Sequence, residues 1–323
     1  MSALLRDEAG SVAPFAWLVR DALPSDEAAD AVTAAAASYL DSGLAPPDVP
    51  DALCATHWLP LEPHSWPSDP RPSHAPRHAL EEAVIAVACA ASRCGLPLLQ
   101  DSNVLGCEWW LQEQWPDDLP KEWHTDKAVG LVSGSETGRS MVTRQPLLSS
   151  VFYLCDRGGP TAVFASQAAT VEQMAEAASA GGEGGAIRVS LAFPRARSLL
   201  LFDGSLLHAV LHPPDAPLAR PPTEDVPRRT LLVNFWEGVC PPGATDEPLP
   251  SLSPPAGEFE GVHRKADLLQ QPSALPLSLG VPFARDADCW SRQQLPPTVA
   301  EELQSMEDGP LPLVTLHYPR AER

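Results

Sequence analysis

The chain has 323 residues and a formal charge of −20, enough length for one large domain or two modest ones around a substantial core. That charge excludes nucleic acid as a partner, because a phosphate backbone would meet a repulsive field that no Lys/Arg cluster offsets. Its seven cysteines follow no disulfide spacing and read as reduced thiols, and neither a signal peptide nor a membrane span is evident, so the composition predicts a soluble cytoplasmic protein with no membrane partner.

Near the start, "WLVRDALPSDEAADAVTAAAASYL" (17–40) predicts a short strand and then a helix, with Ser25 as N-cap and Asp26 and Glu27 favouring the positive helix end. Residues 43–78 are rich in Pro, His and Ser and predict a long surface loop, in which His57, His64, His74 and His78 are loop residues rather than metal ligands. A helix over 79–94 ends at Gly95. From Val104 short apolar runs broken by Gly, Pro and Asp predict strands near 104–114, 149–155, 161–165, 187–193, 198–202, 207–211 and 229–236. One helix, "TVEQMAEAASA", interrupts them, with Thr170 and Gln173 at capping-box spacing. After Cys240 the chain becomes Pro-rich, a linker or a wrapping arm, and "LPLVTLHYP" supplies one more strand that packs the tail on the core. Helices first and short strands afterwards make an α+β protein built around a sandwich or barrel.

The chemistry centres on "EWHTDK" (122–127). On a strand, His124 and Asp126 project to one side and can chelate one metal. Far downstream, "RSLLLFDGSLLHAVLHP" reads as strand, tight turn and strand, delivering His208 into apolar surroundings, while His212, followed by Pro213, is a strand-end residue. Two imidazoles and one carboxylate make the facial triad of non-haem Fe(II) oxygenases. In "PRRTLLVNFWEG", Arg229 opens an apolar strand and can hold a carboxylate by two parallel hydrogen bonds. It is preferred because residues 229, 231, 233 and 235 share one face; Arg220 and Arg228 are the alternatives. "SSVFYLCDRGGPTAVF" (149–164) reads as strand, Gly158-Gly159 turn and strand, and the Tyr153 hydroxyl can reach the same carboxylate. Trp109, Trp110, Trp115 and Trp123 divide between core and pocket wall, and Gln112 and Gln114 face either the pocket or solvent. The Gly/Ser-rich segment 127–147 is either a lid or a loose connection.

The order His-x-Asp, Tyr-Leu with Gly-Gly-x-Thr, a distal His, then Arg before an apolar strand resembles the Fe(II)- and 2-oxoglutarate-dependent dioxygenases, particularly their prolyl 4-hydroxylase-like branch. "LPSDEAADAV" is similar to the helix that precedes the barrel in that branch. The resemblance implies a double-stranded β-helix (jelly roll) core over 104–236 with N-terminal supporting helices over 17–95, all within a domain of residues 1–240. It leaves 241–323 as a Pro-rich C-terminal extension packing on that core. It implies Fe(II) held by His124, Asp126 and His208, with O2 as oxidant and 2-oxoglutarate gripped by Arg229 and Tyr153. Thr161, at the Gly-Gly-x-Thr position, lines the pocket. The implied reaction decarboxylates 2-oxoglutarate to succinate and CO2 and hydroxylates a C–H bond of a small metabolite or a peptide or protein side chain. Three departures stand out: a long insert, "PPDAPLARPPTEDVP", between His208 and Arg229; Pro160 in place of an acidic residue; and Cys155 where Asn is common. The rival reading is a catalytically silent jelly-roll module that keeps a structural metal. A zinc hydrolase is disfavoured, since neither His lies on a helix and no general-base Glu stands beside the motif.

Overall fold

The computed structural model describes residues 16–23, 25–42, 56–94, 102–115, 121–134, 138–164, 186–211, 227–238, 240–247, 249, 274–280, 309–310 and 313–317. The chain opens with β1 (Ala16–Val19) and α1 (Asp26–Asp41). The Ser25 hydroxyl accepts from the Ala28 N–H at 3.2 Å and caps the helix, as the sequence predicts. Ala28, Ala29, Val32, Ala35, Ala36 and Tyr39 recur at helical spacing and form the buried stripe.

The expected loop over 43–78 is corrected in its second half. Residues His57–Pro60 form β2, an edge strand paired antiparallel to β3 (Val104–Gln114), with His57, Trp58 and Leu59 all buried. Pro60 at its end disguises a strand of only four residues, and its two faces are both covered, so no polar alternation marks it. His78, expected within that loop, is instead the N-cap of α2 (Ala79–Arg93): its Nδ1 accepts from the Glu81 N–H. The helix stops at Arg93 with Cys94 as C-cap, one residue short of the expected end.

The remaining strands are β4 (Lys121–His124), β5 (Ala128–Gly134), β6 (Gly138–Arg144), β7 (Leu148–Tyr153), β8 (Thr161–Phe164), β9 (Ala186–Ala192), β10 (Leu199–Asp203), β11 (His208–Val210), β12 (Arg228–Glu237), β13 (Ala274–Gly280), β14 (Gly309–Pro310) and β15 (Leu313–His317). The segment 127–147, expected to be a lid or a loose connection, is largely the β5–β6 hairpin. The helix expected at "TVEQMAEAASA" lies outside the described residues, as do His212 and Arg220.

Two sheets carry the architecture, ordered β14-β1-β10-β7-β12-β3-β2 and β13-β15-β9-β8-β11-β4. All their pairings are antiparallel except β13 with β15. From β3 to β12 the chain crosses repeatedly between them, with β8 and β9 a hairpin within one sheet: β3, β7, β10 and β12 lie in the first sheet, and β4, β8, β9 and β11 in the second. A mostly antiparallel protein with few helices and these crossings is consistent with a jelly roll. Both faces of the first sheet are buried. Leu231, Val233 and Phe235 of β12 and Cys107, Trp109 and Leu111 of β3 pack on α1 and α2. The opposite face carries Val151, Tyr153, Leu200 and Phe202, with Leu232 against them, and these meet Val163 and Ala192 of the second sheet.

Residues 240–247 fold back onto β2: Trp58 N–H donates to the Thr245 carbonyl and Thr245 N–H to Thr56. Arg77 ties the same segment to α2 by bonding both Glu81 and Asp246. Further on, β14 adds to β1 and β15 to β9, so C-terminal strands extend both sheets. Among the described residues no helix is long and apolar enough to cross a membrane.

Candidate metal centre

His124, Asp126 and His208 converge: their donor atoms all lie within 4.8 Å of one another. His124 is the last residue of β4 and faces His208, the first residue of β11, across a direct strand pair. Their rings sit 4.3 Å apart. Asp126 lies two residues beyond the end of β4 rather than on it, a small correction to the expected strand, yet its Oδ1 is 3.6 Å from His208 Nε2. Metal–ligand bonds of about 2.1 Å place adjacent donors about 3 Å apart, so these three groups need only a slight contraction to share one ion.

The surroundings fix how each ligand points. The turn expected between the two strands, at Phe202-Asp203-Gly204-Ser205, is present: Asp203 Oδ1 accepts from the Ser205 N–H at 2.8 Å and from its hydroxyl at 2.6 Å. Gly204 is needed there, since a Cβ would stand 2.2 Å from the Pro146 carbonyl oxygen. The turn sets His208 Nδ1 3.2 Å from the Leu206 carbonyl, which selects the tautomer donating from Nδ1 and leaves the Nε2 lone pair free. Burial lowers the His208 pKa to about 4 against the opposing pull of Asp126, so the imidazole is neutral and able to ligate at pH 7. Ser149, which no sequence feature had singled out, donates its hydroxyl to Asp126 Oδ2 at 2.9 Å and steers Oδ1 toward the imidazoles.

Deeper between the sheets lies a second polar group. Arg228, 3% exposed, donates from Nη2 to Thr161 Oγ1 at 3.0 Å, and its guanidinium carbon is 5.5 Å from the centre of the Tyr153 ring. The Tyr153 hydroxyl bonds Thr161 Oγ1 at 2.8 Å, and burial raises its pKa despite the opposing charge of Arg228, keeping the phenol protonated. Arg228 Nε and Thr230 Oγ1 are buried without hydrogen-bond partners among the described residues. Buried donors and acceptors are rarely left so, and two orphans two residues apart on β12 mark a place for a polar ligand.

Tyr153 and Thr161 therefore stand together where the sequence put them, but Arg229 does not join them. Strand alternation turns it to the helix-facing side, where Nε bonds Glu113 Oε2 at 2.7 Å across the β12–β3 pair. The preferred register is corrected by one residue, and Arg228, held as an alternative, occupies the inter-sheet face. Glycine at 158 makes room for it: with φ of +96°, a Cβ there would come within 2.6 Å of the Arg228 Cβ and Cδ. Of the tryptophans, Trp109 is core, Trp110 and Trp123 are half-buried, and Trp115 is exposed.

No family model matches the sequence, and no curated protein does. Solved structures do resemble the fold. A prolyl-4-hydroxylase from Pseudomonas putida shares 16% identity, with 73% of this chain and 98% of that chain covered, at a TM-score of 0.39. HygX from Streptomyces hygroscopicus, solved with nickel and 2-oxoglutarate, shares 11% over 70% and 84% at 0.36. The epimerase SnoN of nogalamycin biosynthesis, solved with Fe3+, alpha ketoglutarate and nogalamycin RO, shares 14% over 76% and 92% at 0.43. Structures of Fe- and 2-oxoglutarate-dependent oxygenases, some solved with iron or 2-oxoglutarate bound, are thus among those this chain resembles, and the chain carries a His–Asp–His cluster of its own.

Proposed function

We propose that the protein is an Fe(II)- and 2-oxoglutarate-dependent oxygenase whose core is a double-stranded β-helix. In this reading His124, Asp126 and His208 hold iron, and the bound metal supplies activation of O2 coupled to conversion of 2-oxoglutarate to succinate and CO2. The rest is positioning by the chain. Arg228 grips the distal carboxylate of 2-oxoglutarate with its guanidinium fork, Thr161 and Thr230 add hydroxyls, and Tyr153 shields that end from water. Ser149 holds Asp126 and the Leu206 carbonyl holds His208, so the ligands are oriented before the metal arrives. Hydroxylation of a C–H bond on a small molecule or peptide is the default outcome. Residues 1–240 form the catalytic domain, 241–323 extend it, and its free thiols suit the cytoplasm.

The observation that carries this reading is the buried, incompletely bonded Arg228 placed behind a three-ligand cluster. A silent metal-holding module has no use for such a cation, whose burial costs stability unless an anion meets it. Anaerobic addition of Fe(II) and 2-oxoglutarate should produce a metal-to-ligand charge-transfer band, and aerobic turnover should release succinate. A band or turnover that survives His124→Ala and Asp126→Ala would overturn the proposal.

A further inference from the structure

Level with Asp126, one cross-strand row of the first sheet runs Ser149, Asn234, Glu108 and Trp58 on β7, β12, β3 and β2. Ser149 bonds the metal ligand, and Glu108 lies two strand spacings away, about 10 Å along the row. Glu108 is 9% exposed. Its Oε1 accepts from the Thr56 hydroxyl at 2.7 Å and its Oε2 from the Trp236 indole N–H at 2.8 Å. No cation pairs with it among the described residues, and each oxygen keeps a further lone pair. Burial, reinforced by Asp126, raises its pKa, while its two bonded donors lower it. Asn234, between Glu108 and Ser149, is 2% exposed, and its Oδ1 has no hydrogen-bond partner among the described residues. Two inward acceptors, one of them anionic and uncompensated, stand beside the indole of Trp58, a wall suited to carbon bearing a positive charge.

We propose that Glu108 and Asn234 form the substrate-recognition pair of this site and take an amino group, charged as ammonium, on the molecule to be oxidised. The inference rests on the oxygenase reading above and deepens it. An ammonium supplies the donors that Asn234 Oδ1 and the remaining Glu108 lone pairs lack, and it neutralises the carboxylate. An anionic substrate would be repelled here, although the exposed Lys127 and Arg144, close in sequence to the metal ligands and the Ser149 strand, would favour one. The chain's charge of −20 steers cations toward it.

The test uses full-length protein carrying Fe(II) and 2-oxoglutarate under argon, titrated calorimetrically with benzylamine, benzyl alcohol and benzoate. These probes match in size and differ in charge. A charge-assisted hydrogen bond worth about 1.5–3 kcal/mol corresponds to roughly 10- to 100-fold in affinity. Benzylamine should therefore bind at least tenfold more tightly than the other two. Glu108→Gln should abolish that preference, Glu108→Asp should restore part of it, and Asn234→Asp, which adds a carboxylate to the row, should strengthen it. Equal binding of the three probes, preference for benzoate, absence of benzylamine binding, or indifference to these substitutions overturns the inference. A wild-type charge-transfer band with 2-oxoglutarate separates that failure from failure of the oxygenase reading.

Discussion

Substitution at two adjacent arginines separates the two faces of β12. Arg228 is buried against Thr161 and Tyr153 with Nε unsatisfied, whereas Arg229 pairs with Glu113, the two side chains being 26% and 21% exposed. Truncating one partner of a buried charge pair costs about 2–5 kcal/mol. At about 1.4 kcal/mol per decade, Arg228→Ala should raise the Kd for 2-oxoglutarate about 30-fold to several thousand-fold. Arg228→Lys keeps the charge but not the fork and should fall between. A part-exposed ion pair contributes only about 0.5–1 kcal/mol, so Arg229→Ala should lower Tm by about 2 °C and leave 2-oxoglutarate affinity within about twofold. The assay is anaerobic titration of the Fe(II) protein, read by the charge-transfer band and by calorimetry, with Tm measured in parallel. A tenfold loss of affinity in Arg229→Ala, with Arg228→Ala near wild type, would refute the placement.

Three further outcomes follow from the same geometry. Ser149→Ala frees Asp126 Oδ2 and should weaken metal binding about tenfold, measured by chelator competition; an unchanged metal Kd would remove Ser149 from the site. Gly158→Ala places a methyl against Arg228 at a positive φ, so it should cost about 1–3 kcal/mol and weaken 2-oxoglutarate together. Gly243→Ala, at φ +93° with open space around it, should cost stability alone, and equal effects on affinity from both would sink the steric explanation. Burial, aided by His78 and Arg77, lowers the His57 pKa from 6.5 to about 4. A depressed histidine pKa means its stabilising share is complete above pH 6.5 and lost as pH falls toward 4, in total roughly 3 kcal/mol. In urea unfolding of metal-free protein at pH 7.5 and 4.5, His57→Gln should flatten part of the wild-type difference; an identical difference in both proteins contradicts it.

The elements most legible in the sequence are those with a cap or with an apolar run bounded by turn residues. Ser25 with Asp26 and Glu27 marks α1, and the apolar runs from Val104 to Trp236 mark strands within one or two residues of their observed ends. The β5–β6 hairpin was hidden by its Gly/Ser-rich composition, and β2 by its shortness and its lack of alternation. β2 offers no alternation because Trp58 and Leu59 are covered on opposite sides, by the row of Glu108 and by the helices. Its proline and histidine then read as loop. Ser149 carried no signal, since a buried serine in a strand is ordinarily a small polar residue bonded to backbone, as Ser150 is to Val233.

The arginine register shows what signal was present and how it was misread. Residues 229, 231, 233 and 235 do share one face, but Leu231, Val233 and Phe235 make that face uniformly apolar, and it packs on the helices. The other face alternates Arg228, Thr230, Leu232, Asn234 and Trp236, all but Leu232 buried. Polar side chains on a doubly buried strand are costly unless something meets them, and their concentration on one face is what the proposed ligand chamber would account for. The same reasoning runs along β3, where Glu108 shares the inter-sheet side with Trp110 and Gln112 while Cys107, Trp109 and Leu111 turn to the helices. A one-residue shift thus moves an arginine from the buried inter-sheet face to a part-exposed ion pair. In a sheet buried on both sides, polarity rather than hydrophobic alternation tells the chamber from the core.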